Sequence, residues 1–92
     1  MIVSFKHKGL ELFFHTGSKS GIQASHAKKL ARILHHLDFA EHISDMDFPA
    51  WNLHPLQGTL KNHWSIKVSS NWRLTFIFQN GHAEVVDYQD YH

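Results

Sequence analysis

The 92-residue chain has no cysteine. Disulfide scaffolds, thiol nucleophiles and cysteine-held zinc are therefore excluded, and the core alone must hold the fold. Charge is scarce as well, at 18% of residues against 42% hydrophobic, which excludes the composition of a disordered chain. No apolar run is longer than Phe76-Ile77-Phe78, so nothing approaches the ~20 residues that span a bilayer. The opening Met1-Ile2-Val3-Ser4-Phe5-Lys6 has no charged region followed by an apolar run, so no signal peptide is read there. Gly-x-Ser-x-Gly, a glycine-rich phosphate loop and a paired-carboxylate motif are all missing, which removes the common hydrolase and nucleotide-binding classes. The chain is thus expected to be one soluble, cytoplasmic domain over residues 1–92, with no membrane contact.

The net charge of +1 hides blocks. Residues 1–37 carry Lys6, Lys8, Lys19, Lys28, Lys29 and Arg32 against Glu11 alone, and residues 38–48 carry only Asp38, Glu41, Asp45 and Asp47. A basic first third can meet a polyanion while the whole stays near neutral. Leu10, Phe13 and Phe14 before Gly17 predict a helix near residues 6–15. Ala27, Leu30, Ala31, Ile33, Leu34 and Leu37 share one side of a second helix near 25–38, with Ser25 as its N-cap. Its other side carries Lys28, Lys29, Arg32, His35 and His36 and no acid, which suits an anionic partner. The acidic stretch continues as a short helical turn that Pro49 ends.

Beyond Pro49 the period becomes two. Trp51 and Leu53, then Trp64, Ile66 and Val68, then Leu74, Phe76 and Phe78 alternate with polar residues. Asn80-Gly81 predicts a two-residue hairpin, and Ile2–Phe5 reads as a further short strand. The expected fold is α+β, with N-terminal helices packed on one face of a mainly antiparallel sheet. Extending the hairpin register pairs Phe76 with Val85, Leu74 with Asp87 and Arg73 with Tyr88, and sets Arg73 on the open face beside the tail Asp90-Tyr91-His92.

The ten histidines do not form a metal site by spacing. No two are three or four apart, and His35 and His42 are two helical turns apart, about 10 Å. Neither a metal nor another cofactor is expected. His54, Arg73, Asp90, Tyr91 and His92 remain. A base that takes a ribose 2′-OH proton, an acid that protonates the leaving 5′-oxygen and an Arg on the pentavalent phosphate are what metal-free phosphodiester transfer needs. Tyr88 and Tyr91 can instead pack on Trp72, and the three tryptophans suit the core.

The segments Ile2–Leu10, Leu53-His54-Pro55-Leu56-Gln57-Gly58, Trp64-Ser65-Ile66, Asn71-Trp72-Arg73-Leu74-Thr75-Phe76 and Asp87-Tyr88-Gln89-Asp90-Tyr91-His92 resemble the HigB branch of the RelE-like toxins of bacterial toxin–antitoxin modules. The resemblance covers nearly the whole chain. It implies a ribosome-dependent mRNA endonuclease that works in the ribosomal A site, on the small subunit, and uses the ribose 2′-OH without a metal. It also implies a helix-turn-helix antitoxin of the HigA type as partner. It puts the catalytic positions at His54, Arg73, Asp90, Tyr91 and His92. Similar HigB proteins can carry Lys where this chain has Gln57, which removes a charge from a phosphate site and leaves Lys61 as a nearby cation. Lys28, Lys29, Arg32 and Lys61 are the expected RNA-binding residues. The other reading is a non-catalytic RNA- or protein-binding module on the same fold.

Charge reversal at Lys28, Lys29 and Arg32 together is expected to weaken ribosome binding and to flatten its dependence on salt, measured by co-sedimentation from low to high ionic strength.

Overall fold

The computed structural model describes residues 1–90. Helix α1 (Lys8–Thr16) starts where the Leu10 amide donates to Nδ1 of His7 at 2.9 Å and stops at Gly17 in the left-handed conformation. Gly9 lies inside α1 because Gly21 crosses it there. A Cβ on Gly9 would sit 2.6 Å from the Gly21 carbonyl oxygen. Helix α2 (Ala27–Phe39) starts later than expected. Ser25 does not cap it but lies within a 3-10 turn, Ala24–His26. The helix begins on His26, whose ring turns inward to Tyr88 instead of capping. The apolar stripe otherwise falls as predicted, with Leu30, Ile33, Leu34 and Leu37 buried, while Ala31 is exposed.

The acidic stretch forms a 3-10 turn, Ile43–Met46, in which the Glu41 and His42 amides donate to the Asp45 carboxylate at 3.0 and 3.1 Å. These bonds hold the Asp45 carboxyl below the usual carboxylate range. Pro49 opens its own turn, Pro49–Trp51, where its missing N–H is harmless. Trp51 is therefore in a turn, and the predicted strand there shrinks to β1 (His54–Pro55). Strands β2 (Trp64–Ser69), β3 (Trp72–Gln79) and β4 (His82–Asp90) complete an antiparallel sheet in the order β1-β2-β3-β4. Ile2–Phe5 forms no full strand. It joins the outer edge of β4 through parallel bridges Ile2↔Ala83 and Phe5↔Val86. The result is the expected α+β arrangement, with helix residues and Ile66, Leu74, Phe76 and Val86 in one hydrophobic cluster.

Asn80 and Gly81 both have positive φ, 52° and 78°, which matches the twist of a hairpin. Near the turn the expected pairs Ile77↔Glu84 and Phe78↔Ala83 form. The register then shifts, and Thr75↔Asp87, Leu74↔Tyr88, Arg73↔Gln89 and Trp72↔Asp90 follow. The cause is a bulge at Val85, which stands at φ 47°. Its amide donates to Ser4 Oγ at 2.8 Å instead of to β3. The predicted pairing of Arg73 with Tyr88 is thus corrected. The extra residue turns Tyr88 into the core and leaves Arg73 opposite Gln89.

Tyr88 anchors the end of β4. Its ring stacks on Trp72 with centroids 4.5 Å apart, and its hydroxyl is 2.6 Å from His26 Nδ1 while accepting the Gln23 amide at 3.4 Å. Burial, with Asp90 as a smaller cause, raises the Tyr88 pKa above its ordinary 10.0, although the Gln23 amide lowers it. A raised folded-state value gives stability that is complete below pH 10 and lost as pH climbs through that raised value. Tyr88→Phe is expected to lower stability at neutral pH by about 1 kcal/mol. The variant should also lose part of the alkaline destabilisation, both read from denaturant melts between pH 7 and 11.

Candidate active site on the open face of the sheet

The face of the sheet turned away from the helices carries two cross-strand rows. His54, Ser65, Thr75 and Asp87 form one row, and Lys67, Arg73 and Gln89 form the next. The β2–β3 pairing sets Lys67 directly opposite Arg73. Two like charges facing each other concentrate positive potential on this face. Two strand spacings and two residues separate His54 from Arg73, roughly 12 Å between Cα atoms.

His54 is half-buried and held by its neighbour. Asn52, at φ 48°, presents its carbonyl to His54 Nδ1 at 2.8 Å. A carbonyl only accepts, so Nδ1 carries the proton, and in the neutral ring Nε2 is left to act as a base. Gln89 donates from Nε2 to Thr75 Oγ1 at 3.0 Å, which ties β4 to β3 beside Arg73. Ser65 and Thr75 form the floor between these side chains and are buried.

The structure divides the predicted site residues. It brings His54 and Arg73 to one face. Asp90 is opposite Trp72, so it shares a side with Tyr88 and not with Arg73. Tyr91 and His92 lie outside the described residues. Lys28, Lys29 and Arg32 border a cavity of about 550 Å³ closed by Ala50 and Trp51. Burial, and then the charge of Lys67, lowers the Lys29 pKa from its ordinary value. Lys61 and Gln57 share the rim of a cavity of about 420 Å³ with Ile77 and Gln79. Ile77 is four residues along β3 from Arg73, roughly 13 Å. Lys61 is therefore near Gln57 but away from Arg73.

Sequence reasoning missed Ser65, Lys67, Thr75 and Gln89. Each is a polar position of an alternating strand, and the alternation marked them. Alternation already sets Ser65, Lys67 and Thr75 on the face of Arg73, and the bulged register adds Gln89. Among the described residues no cluster of three or more His, Asp or Glu could hold a metal, and no helix is long and apolar enough to cross a membrane.

Two helices thus lie on one side of an antiparallel sheet, with a histidine and opposed cations on the other. Residues 3–92 match the family described as RelE-like toxin of type II toxin-antitoxin system HigB, and the chain belongs to that family. It is 45% identical over 92 residues, the whole of both chains, to a Proteus vulgaris protein named Endoribonuclease HigB. It is 36% identical over 85 residues, 90% of each chain, to Toxin HigB-1 of Vibrio cholerae serotype O1. A crystal structure of a YafQ mutant from E. coli shares the fold, with a TM-score of 0.60 and 18% identity over 98% of this chain and 91% of that one. Membership of a toxin–antitoxin system implies an antitoxin partner.

Lys67→Ala is expected to move the Lys29 titration back up toward its ordinary value, followed by NMR of the lysine side chains, because it removes the second cause of the lowering.

Proposed function

We propose that this chain is a single-domain, ribosome-dependent mRNA endonuclease that cleaves A-site codons through the ribose 2′-OH, without a metal. The observation that carries the reading is His54, its Nδ1 held by Asn52, on the same sheet face as Arg73. The name of the Proteus vulgaris relative supports it.

In this reading His54 Nε2 takes the 2′-OH proton and the 2′-oxygen attacks the adjacent phosphorus. Arg73 holds the charge that develops on the phosphoryl oxygens, and the 5′-oxygen leaves with a proton, giving a 2′,3′-cyclic phosphate. His92 is the proposed acid, and Asp90 and Tyr91 complete the proposed catalytic set. Lys28, Lys29, Arg32 and Lys61 dock the RNA, and an antitoxin of the HigA type restrains the enzyme. A non-catalytic RNA-binding module would use the same cations but would give no role to the oriented His54.

The test is single-turnover cleavage of mRNA on programmed ribosomes in a chelating buffer. His54→Gln and deletion of His92 are each expected to slow cleavage by about 10² to 10⁴, the usual loss of a proton-transfer group. Arg73→Lys should lose a comparable amount, because an ammonium cannot copy the planar fork. All three should melt as the parent does. Parental rates in His54→Gln and in the His92 deletion would instead favour the binding module.

A further inference from the structure

Ser65 is polar where the strand gains nothing locally from a hydroxyl. It is a central position of β2, between β1 and β3, with no exposed surface. Its Oγ has no hydrogen-bond partner among the described residues. A buried hydroxyl in that state carries its full desolvation penalty, and an apolar residue there would avoid it. Its cross-strand neighbours on the open face are His54 on one side and Thr75 on the other. Thr75 is also buried, and its Oγ1 accepts from Gln89 Nε2 at 3.0 Å, which leaves its own O–H to donate. Two O–H donors therefore stand on neighbouring strands, Thr75 under the Gln89 amide, one row from the opposed cations Lys67 and Arg73. Asp87 ends the same row, with its Oδ1 taking the Tyr88 amide at 2.9 Å.

Donors beneath a cationic row recognise an anionic oxygen. We propose that Ser65 and Thr75 form a subsite for one non-bridging phosphate oxygen of the RNA backbone, opened when the Gln89 amide turns off Thr75. This rests on the endonuclease reading and adds to it two substrate-binding hydroxyls and a side chain that holds one of them.

The experiment measures single-turnover cleavage on programmed ribosomes together with thermal melting. The variants are Ser65→Ala, Thr75→Val and Thr75→Ser, with mRNA carrying each phosphorothioate diastereomer at the scissile linkage. Sulfur is a poor hydrogen-bond acceptor, so one diastereomer should slow the parent more than the other. Ser65→Ala should melt no lower than the parent, cleave about tenfold more slowly, and lose the difference between diastereomers. Thr75→Val should also cleave slowly, and Thr75→Ser should keep most of the parental rate. Parental cleavage by Ser65→Ala overturns the subsite. So does an unchanged thio effect in that variant, because a purely structural hydroxyl or one holding an ordered water would leave the effect in place. A parent that cleaves nothing on ribosomes overturns the endonuclease reading and the subsite with it, whereas an active parent lets the subsite fail alone.

Discussion

The hydrogen bond from the Val85 amide to Ser4 Oγ, 2.8 Å long and spanning 81 positions of sequence, stabilises the irregularity on which the sheet depends. Val85 is β-branched and stands at φ 47°, a conformation that costs such a residue roughly 1–2 kcal/mol. Inside a ladder its amide would also be left without a partner. The N-terminal segment counters both. Ser4 takes the amide through its side chain, its own carbonyl takes the Val86 amide at 3.1 Å, and the bridges at Ile2 and Phe5 clamp the bulge from either side. Strain of this kind persists only where surrounding contacts over-determine it.

One extra residue exchanges the two faces of everything downstream. Tyr88 turns inward to stack on Trp72 and reach His26, and this contact joins the end of the sheet to the start of α2. Gln89 turns outward to Thr75 and Arg73. The core and the composition of the open face therefore share one cause. Without the bulge Tyr88 would stand among the cations and Gln89 against the apolar cluster, and neither face would be complete.

The open face keeps features that weaken the fold. Lys67 opposes Arg73, and Ser65 buries a hydroxyl with no partner among the described residues. The opposite face shows no such conflict, because Ile66, Leu74 and Phe76 are buried together. Departures from good packing thus gather on the side that also holds His54.

The amino-acid sequence by itself determined the local order of this protein. The stripe of Leu30, Ile33, Leu34 and Leu37, the alternation from Trp64 to Phe78 and the Asn80-Gly81 turn encode helix, strands and hairpin through neighbours a few residues apart. The membership of the family was equally legible, because the segments around His54 and Arg73 are contiguous. The tertiary structure alone decided which residues meet. Ser25 loses its capping position because His26 is pulled toward Tyr88, a partner 62 positions away. The two-residue register extended correctly through Ile77↔Glu84 and failed at Val85, because the side chain that accepts the bulge's amide comes from the other end of the chain. Period-two patterning cannot reveal a bulge, since Val85-Val86 reads alike on either face. Only the long-range bond to Ser4 decides which residues of β4 share the face of Arg73.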